Sequence, residues 1–279
     1  MILDGKTTSQ KIMSELKAEL DKNNQPLIDL DIILVGDDPS SRLYVDLKQK
    51  KAKDIGVGGK IHELPSTSTT QDVVDLIQKL NNDSSVTGLM VQLPLPSPID
   101  RDLVLEAIDP KKDADGLTSY NLGLLFHKDP SAIASATSFG IIKLIEEYKI
   151  NLDGKNAVII GRSVDVGLPL FALFNNRNAT VTICHSHTQN LIEICQKADV
   201  LVSIVGQKNF VTADFVKDGA IVIDVGTSLD IETGKIVGDI DFNSVAPKCS
   251  YITPSPSGVG PMTIASLLLN TVEIYKRNK

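Results

Sequence analysis

The chain has 279 residues and a formal net charge of −7. This acidic balance implies no broad basic surface, so nucleic acid is excluded as an expected partner. No window approaches about 18 consecutive apolar residues, and the N-terminus lacks an apolar core of signal-peptide length. We therefore expect no membrane span and no secretory leader. An odd set of three cysteines does not form a disulfide framework, which favours a reducing, cytoplasmic setting.

Apolar runs alternate with helical patterns through the first 110 residues, and this alternation is typical of βαβ units with a parallel sheet. Thr69 or Thr70 is the expected cap of the helix that begins at residue 70. Residues 111–134 are less regular. The predicted strands are 31–35, 60–64 and 88–93. The predicted helices are 9–22, 41–55, 70–81 and 100–108.

A second alternation follows a connecting helix predicted over residues 137–149 and begins at Lys155. The predicted strands are 157–160, 180–184, 200–204 and 220–224. The predicted helices are 167–175, 188–197, 211–217 and 261–276. The pattern predicts an α/β protein with two α/β halves and a boundary near residues 120–140.

The segment AVIIGRSVDVGLPL predicts a strand, a glycine turn and a helix, with Gly161 and Gly167 at the two ends of the turn. Glycine lets the backbone approach a phosphate closely, and a helix N-terminus favours an anion. The spacing is not G-x-G-x-x-G, so the segment alone also fits an ordinary turn of an α/β protein.

The next predicted strand ends in His185 and Ser186, without the carboxylate that binds the ribose hydroxyl of NAD in such folds. Arg162 directly follows the first glycine of the turn. A guanidinium with hydroxyl and imidazole donors suits a 2′-phosphate, which favours NADP. Cys184, His185 and His187 are too closely spaced for ordinary zinc ligands and no second pair is present, so no metal site is predicted.

Tyr44 and Lys48 are four residues apart and share a face of the predicted helix. The ordinary interpretation is a surface lysine beside a half-buried tyrosine, because lysines are mostly exposed. Gln92 stands at the end of the predicted strand 88–93, and Asp115 lies in the segment KDADGL. Both are predicted to lie at the edge of the sheet where ligands bind in open α/β sheets. Asp115 alone would equally fit a turn or a cap. Together, a lysine, an amide, a carboxylate and an aromatic ring suit a flat, hydrogen-bonding heterocycle.

In combination these segments resemble the bifunctional methylenetetrahydrofolate dehydrogenase/cyclohydrolase family. The resemblance runs from residue 35 to residue 271 in the family's order, and the combination is specific although no single segment is. The matching segments are VGDDPSSRLYVDLKQKKAKDIGV, GLMVQLPLP, KDADGL, GRSVDVGLP, TVTICHSHT, ADVLVSIVG, AIVIDVG and TPSPSGVGPMTIASLLLNT.

The resemblance implies oxidation of 5,10-methylenetetrahydrofolate to the methenyl form with NADP, followed by hydrolysis to 10-formyltetrahydrofolate. These reactions belong to one-carbon metabolism, which serves purine and amino-acid biosynthesis. The resemblance further implies a catalytic folate-binding domain over residues 1–134 and 261–279, and a Rossmann-type NADP-binding domain over residues 135–260. A cleft between the domains and a homodimer are also implied, and no metal is needed for either step.

The resemblance also assigns roles to residues. Lys48 is the expected general catalyst, Tyr44 stacks on the folate, Gln92 supports the lysine and Asp115 holds the pterin ring. Arg162 and Ser186 match residues that favour the NADP phosphate. The other expected substrate-binding residues are Ser41, Leu93, Pro256, Gly258, Val259, Gly260 and Pro261. The other expected cofactor-binding residues are Gly161, Ser163, Gly167, His185, Val205, Gly206 and Thr227.

The chain departs from the family pattern at three places. Residues 135–138 replace the frequent PCTP with SATS, which predicts a less rigid linker. Asp165 stands where an apolar residue is usual, where it would either repel a pyrophosphate or cap the helix. Ser257 stands where glycine is frequent. Two other functions fit part of the sequence: another two-domain NADP oxidoreductase, resembling shikimate dehydrogenase, and a non-catalytic ligand-binding protein.

Overall fold

The computed structural model describes residues 1–229 and 236–279, which form two compact units. The first unit comprises Lys11–Ala136 and Leu267–Lys279, and the second comprises Met1–Gln10 and Thr137–Ser266. Each unit contains a parallel sheet and helices, so the predicted α/β class is confirmed. None of the helices within these described residues is long and apolar enough to cross a membrane.

The long helices and strands follow the predicted order along the chain, and five short elements among those that the structure describes were not predicted. The helices are α1 (Gly5–Lys22), α2 (Pro39–Asp54), α3 (Thr70–Asn81), α4 (Arg101–Glu106), α5 (Ser119–Phe126), α6 (Ala136–Glu147), α7 (Gly167–Asn175), α8 (Leu191–Cys195), α9 (Phe242–Val245) and α10 (Val259–Arg277). The strands are β1 (Leu30–Val35), β2 (Ile61–Leu64), β3 (Gly88–Val91), β4 (Asn156–Ile160), β5 (Thr180–Cys184), β6 (Val200–Ser203), β7 (Ile221–Asp224), β8 (Ser228–Leu229), β9 (Ile236–Val237) and β10 (Tyr251–Ile252).

The sheet of the first unit has the strand order β2-β1-β3, and all its pairs are parallel. Ile32 of β1 pairs with Ile61 on one side and Met90 on the other. Every residue of β1 and β3 is buried, as expected for parallel strands covered on both faces. Ile33 and Leu89 pack in one core with apolar residues of α3 and α4.

Helix α3 begins at its predicted residue because Thr69 and Asp72 form a capping box. The backbone N–H of Thr69 donates to Asp72 Oδ2 at 2.8 Å, and that of Asp72 donates to Thr69 Oγ1 at 3.2 Å. Val73, Ile77 and Leu80 recur at helical spacing and are buried. The cap and the apolar face therefore set the start and orientation of α3 on the sheet.

The sheet of the second unit has the order β10-β7-β6-β4-β5, again with parallel pairs. Ile160 at the end of β4 pairs with Cys184 of β5 and with Ser203 of β6. Since parallel strands end at the same edge, the segments that follow β4, β5 and β6 lie side by side. Strands β8 and β9 form a separate antiparallel pair.

Apart from shifts of a few residues at helix and strand ends, three local predictions differ from the structure. Residues 111–134 contain the short helix α5, which Thr118 caps by accepting a hydrogen bond from the N–H of Asn121. Helix α8 is shorter than predicted because Asn190 adopts a left-handed conformation with φ of 55°. The helix predicted over 211–217 is only a 3₁₀ turn over Ala213–Phe215, since Val216 is extended.

Candidate functional site

Lys48 lies on α2 and is almost buried, with 9% of its surface exposed. Its Nζ donates to Gln92 Oε1 at 2.9 Å. Gln92 continues from β3, where its backbone N–H donates to the carbonyl of Ile33 at 2.8 Å. Its side-chain Nε2 donates to the carbonyl of Leu93 at 2.6 Å, which turns the amide oxygen toward the lysine. The sheet therefore holds an acceptor against the amine.

Asp115 lies at the same edge of this sheet. Residues 112–114 run parallel to β3, because the N–H of Leu89 donates to Lys112 at 2.7 Å and the N–H of Ala114 donates to Leu89 at 3.1 Å. Asp115 follows directly. The structure thus brings Lys48, Gln92 and Asp115 together at the carboxyl end of the sheet.

For both Lys48 and Asp115, burial shifts the pKa in one direction and the charge of the other residue shifts it back. Desolvation lowers the pKa of Lys48, and the Asp115 carboxylate partly opposes that shift. Desolvation likewise raises the pKa of Asp115, against the effect of the Lys48 ammonium. An amine with a lowered pKa exchanges a proton more readily near neutral pH, as acid–base catalysis requires.

Tyr44 lies one helical turn before Lys48 on α2 and is 37% exposed, so its ring is available for stacking. Ser41 is buried near the start of the same helix, and its N–H donates to Asp38 Oδ2 at 2.7 Å. Leu93 is half-buried beside Gln92. All three belong to the same unit as Lys48.

The remaining expected substrate-binding residues lie in the second unit. They occupy the segment before α10 and its first turn: Pro256, Gly258, Val259, Gly260 and Pro261. Ser257, in the middle of this segment, has a φ of 84°, a left-handed conformation that glycine adopts without strain. The carbonyl of Ser257 accepts a hydrogen bond from the N–H of Lys6 at 3.0 Å.

The turn between β4 and α7 is closely packed and suits a dinucleotide pyrophosphate. A Cβ on Gly161 would lie 2.9 Å from the carbonyl oxygen of Ile204, and one on Gly167 would overlap the carbonyl of Gly161. Gly167 begins α7, and the N–H groups of Val166 and Gly167 donate to Ser163 Oγ at 3.3–3.4 Å. The N–H of Leu168 donates to the carbonyl of Ser163 at 3.0 Å. A glycine turn leading into a helix N-terminus is a fitting cradle for phosphate.

Arg162 and Ser186 follow neighbouring strands, β4 and β5, and both are exposed. Within residues 1–229 and 236–279, Arg162 has no ion-pair partner. The turn after β5 is held by Thr188 Oγ1, which accepts from the N–H of His185 at 2.8 Å, and carries no carboxylate. This arrangement presents positive charge and donors to a phosphate.

Two buried carboxylates that the sequence reasoning missed organise the neighbouring loops. Asp239 is fully buried and accepts hydrogen bonds from Ser203 Oγ at 2.9 Å, Val205 N at 2.7 Å and Gln207 N at 2.8 Å. It therefore holds the loop that contains Val205 and Gly206, two of the expected cofactor-binding residues.

Asp224 ends β7 and accepts from the N–H groups of Gly226, Asp239 and Ile240 at 3.0–3.1 Å. Burial raises its pKa to about 6. It shapes the segment that leads to Thr227, which is exposed. An acidic residue at the end of the apolar run IVID was the available signal in the sequence, since a buried carboxylate requires donors.

The histidines and the cysteine at the end of β5 do not gather further ligands in the described part of the chain. Among residues 1–229 and 236–279, no group of three or more His, Cys, Asp or Glu is placed to hold a metal ion. Cys184 is buried in the core of the second unit.

Two family models match the chain. The model described as the catalytic domain of tetrahydrofolate dehydrogenase/cyclohydrolase matches residues 3–115, and the model for its NAD(P)-binding domain matches residues 135–279. The bifunctional protein FolD of Agathobacter rectalis is 46% identical over 278 residues, which cover 99% of both chains.

Solved structures agree with these matches. The bifunctional FolD enzyme of Campylobacter jejuni is 44% identical with a TM-score of 0.97, covering 100% of this chain and 99% of that one. The Trypanosoma brucei FolD, complexed with NADP cofactor and inhibitor, is 33% identical with a TM-score of 0.94 and coverage of 100% and 98%. Shikimate dehydrogenase 1 of Peptoclostridium difficile, at 14% identity and TM-score 0.52, shares the fold only.

Proposed function

Because the chain belongs to the tetrahydrofolate dehydrogenase/cyclohydrolase family, we propose that it oxidises 5,10-methylenetetrahydrofolate with NADP and hydrolyses the product to 10-formyltetrahydrofolate. The observation that carries this proposal is the buried hydrogen bond between Lys48 and Gln92 beside Asp115. A surface lysine would be solvated, whereas this buried amine donates to an amide oxygen and interacts electrostatically with the Asp115 carboxylate, an environment that suits proton transfer.

For the oxidation, residues at the carboxyl edge of the sheet in the second unit bind the cofactor. Gly161, Ser163 and Gly167 would hold its pyrophosphate, and Arg162 with Ser186 would hold the 2′-phosphate that distinguishes NADP from NAD. NADP, when bound, supplies the hydride acceptor. The other residues proposed for this site are His185, Val205, Gly206 and Thr227.

For substrate binding, we assign stacking on the folate to Tyr44 and hydrogen bonding of the pterin ring to Asp115. The half-exposed ring of Tyr44 and the placement of Asp115 at the sheet edge support these roles. The other residues proposed to contact folate are Ser41, Gln92, Leu93, Pro256, Gly258, Val259, Gly260 and Pro261.

For the hydrolysis, Lys48 acts as the general base. Water adds to the carbon of the methenyl cation, and the unprotonated amine accepts the proton that the water loses. The hydroxyl group so formed then loses its proton as its C=O bond forms, and the bond from that carbon to N5 breaks. The electron pair of the broken bond stays on N5, which takes up a proton, and the carbon remains on N10 as a formyl group. The hydrogen bond from Nζ to Gln92 Oε1 keeps the amine at a fixed place throughout.

At the scale of the whole protein, we assign folate binding to residues 1–134 and 261–279, and NADP binding to residues 135–260. The chain is proposed to act as a homodimer in the cytoplasm and to supply one-carbon units for purine and amino-acid biosynthesis. The family models support a catalytic region over residues 3–115 and an NAD(P)-binding region that begins at residue 135.

A spectrophotometric assay tests the proposed reactions. The purified protein should reduce NADP only when 5,10-methylenetetrahydrofolate is present, with transient absorbance of the methenyl product that decays faster than in buffer. NAD, at matched concentration, should support a lower rate. Activity confined to hydroxy acids such as shikimate would refute the folate assignment, and tight ligand binding without turnover would indicate a binding protein.

A further inference from the structure

The carboxylate of Asp113 is completely buried, with 0% of the residue exposed. Its Oδ1 accepts from the N–H groups of Gly116 at 2.9 Å and Leu117 at 3.2 Å. Its Oδ2 accepts from Thr118 N at 2.9 Å, Thr118 Oγ1 at 2.8 Å and Asn121 Nδ2 at 3.0 Å. Five donors from residues 116–121 thus converge on one side chain, which satisfies a charge that burial would otherwise disfavour.

A second set of bonds holds the other side of the same turn. Asn270 of α10 is buried, and its Nδ2 donates to the carbonyls of Ala114 at 3.0 Å and Ala134 at 2.9 Å. The N–H of Ala136 donates to the carbonyl of Asp115 at 3.0 Å. All these residues belong to the first unit. Asp115 therefore stands on a backbone that is fixed before and after it.

We propose that Asp113 is a positioning residue, which acts by holding the 115–118 turn so that the Asp115 carboxylate stays beside Lys48. The inference deepens the proposed function, because it rests on Lys48 as the proton acceptor of the hydrolysis. The Asp115 side chain has a single methylene group between the backbone and the carboxyl group. Displacement of the turn would therefore move the Asp115 charge away from Lys48. Burial would still lower the pKa of Lys48, but the opposing effect of the Asp115 charge would be lost.

Asp113→Asn tests this role while preserving the size of the side chain. An amide NH₂ would face backbone donors in place of a carboxylate oxygen, which loosens the turn. The readout is the pH dependence of trace acetylation of Lys48, followed by peptide mass spectrometry. We expect the pKa of Lys48 to fall by about one unit, which makes the amine about tenfold more deprotonated at a given pH below its pKa. The pH profile of the cyclohydrolase step should move in the same direction.

The matched control is Asp100→Asn. Asp100 also accepts two backbone hydrogen bonds, from Asp102 N at 3.0 Å and Leu103 N at 3.1 Å, but these bonds cap α4 and not the 115–118 turn. Its loss should leave the titration of Lys48 unchanged. An equal shift in this control would mean that the effect is general loosening of the unit, and it would overturn the proposal.

A second pair of variants covers the case in which Asp113→Asn fails to fold. Thr118→Val keeps the shape of the side chain but removes the hydroxyl donor, and Thr118→Ser keeps that donor. The valine variant should lower the pKa of Lys48, and the serine variant should restore it. Wild-type titration in folded Thr118→Val would overturn the proposal. Acetylation needs no turnover, so an inactive wild-type protein would refute the proposed function separately.

Discussion

Burying a lysine costs free energy, because the ammonium loses its hydration. At Lys48 the compensation is incomplete: Gln92 offers a neutral acceptor at 2.9 Å, and Asp115 offers a charge whose own burial is unfavourable. The pKa of Lys48 is lowered as a result. A residue held at such a cost is more readily explained by chemistry than by stability.

Lys48→Met should abolish the cyclohydrolase step, with a rate loss of about 10²- to 10⁴-fold, while NADP binding persists. The decay of methenyl absorbance measures the first effect, and fluorescence titration with NADP measures the second. Lys50→Met is the matched control, because Lys50 is exposed on the same helix. Near-normal hydrolysis in Lys48→Met would remove this residue from the mechanism.

The same variant has a signature in folding stability. Because the pKa of Lys48 is lowered in the folded protein, the unfolded chain binds more protons between that pKa and the ordinary value of 10.5. The contribution of Lys48 to stability therefore rises with pH across this window. Urea unfolding at several pH values should show a weaker rise in Lys48→Met than in the wild type, and no change in Lys50→Met.

Arg162→Ala should weaken NADP binding by about 10- to 100-fold, the usual effect of losing a charged hydrogen bond. Binding of NAD, which lacks the 2′-phosphate, should change much less. Arg177→Ala is the control: Arg177 pairs with Glu146 at 2.8 Å, so its loss should not alter the ratio of the two affinities. Equal losses for NADP and NAD in Arg162→Ala would show that Arg162 does not contact the 2′-phosphate.

Ser257→Gly should either leave the free energy of unfolding unchanged or raise it by up to about 1 kcal/mol. Serine at φ of 84° pays a steric penalty that glycine avoids, although glycine loses more entropy on folding. Ser250→Gly is the comparison, because Ser250 is not among the residues with positive φ. This variant should be less stable than the wild type. Urea midpoints compare the variants, and a clear destabilisation by Ser257→Gly would contradict the strain argument.

At the scale of elements, several residues proposed to bind ligands lie in segments that follow parallel strands, and buried carboxylates hold two of these segments. Asp113 supports the turn of Asp115 in the first unit, and Asp239 supports the loop after β6 in the second. In both units the side chain of a buried aspartate, and not a neighbouring strand or helical turn, accepts the hydrogen bonds of the loop N–H groups. This allows irregular backbone to be rigid at the edge where ligands bind.

Asp239→Ala should lower the free energy of unfolding by about 3 kcal/mol or more, because buried donors on Ser203, Val205 and Gln207 lose their acceptor. NADP binding should weaken as well, since the Val205–Gly206 loop loses its support. Asp218→Ala is the control, because the side chain of Asp218 is 88% exposed and its pair with Lys248 spans 3.5 Å. Unchanged stability in Asp239→Ala would exclude Asp239 as the support of this loop.

At the scale of the whole molecule, the two units each have a parallel sheet and a core of their own. The N-terminal residues join the unit formed mainly by the second half of the chain: Leu3 N donates to the carbonyl of Ile252 at 2.8 Å, and Ile252 N donates to Met1 at 3.0 Å. The beginning of the chain thus extends the ladder at β10.

The proposed homodimer gives a prediction at this scale. Sedimentation velocity should give a mass near twice the chain mass of 30.1 kDa, over the concentration range used in activity assays. Dilution that produces monomers should be accompanied by a measurable change in thermal stability, because association stabilises the folded state. A monomer at all concentrations would contradict the proposal.

The sequence by itself determined the α/β class, the order of the long elements, the helix that carries Lys48 and the strand ends near which Gln92 and Arg162 lie. Hydrophobic periodicity and turn residues depend on neighbours in the chain, and they set the class and the order of the elements. The common edge of each sheet follows because its parallel strands end at the same side.

Only the tertiary structure decided the burial of Lys48, its bond to Gln92 and the anchoring by Asp113, Asp239 and Asn270. It also decided that residues 1–10 pack with the second unit. The physical reason is that desolvation and long-range hydrogen bonds depend on groups distant in sequence. A lysine among several lysines acquires a lowered pKa only where the folded chain removes water from it.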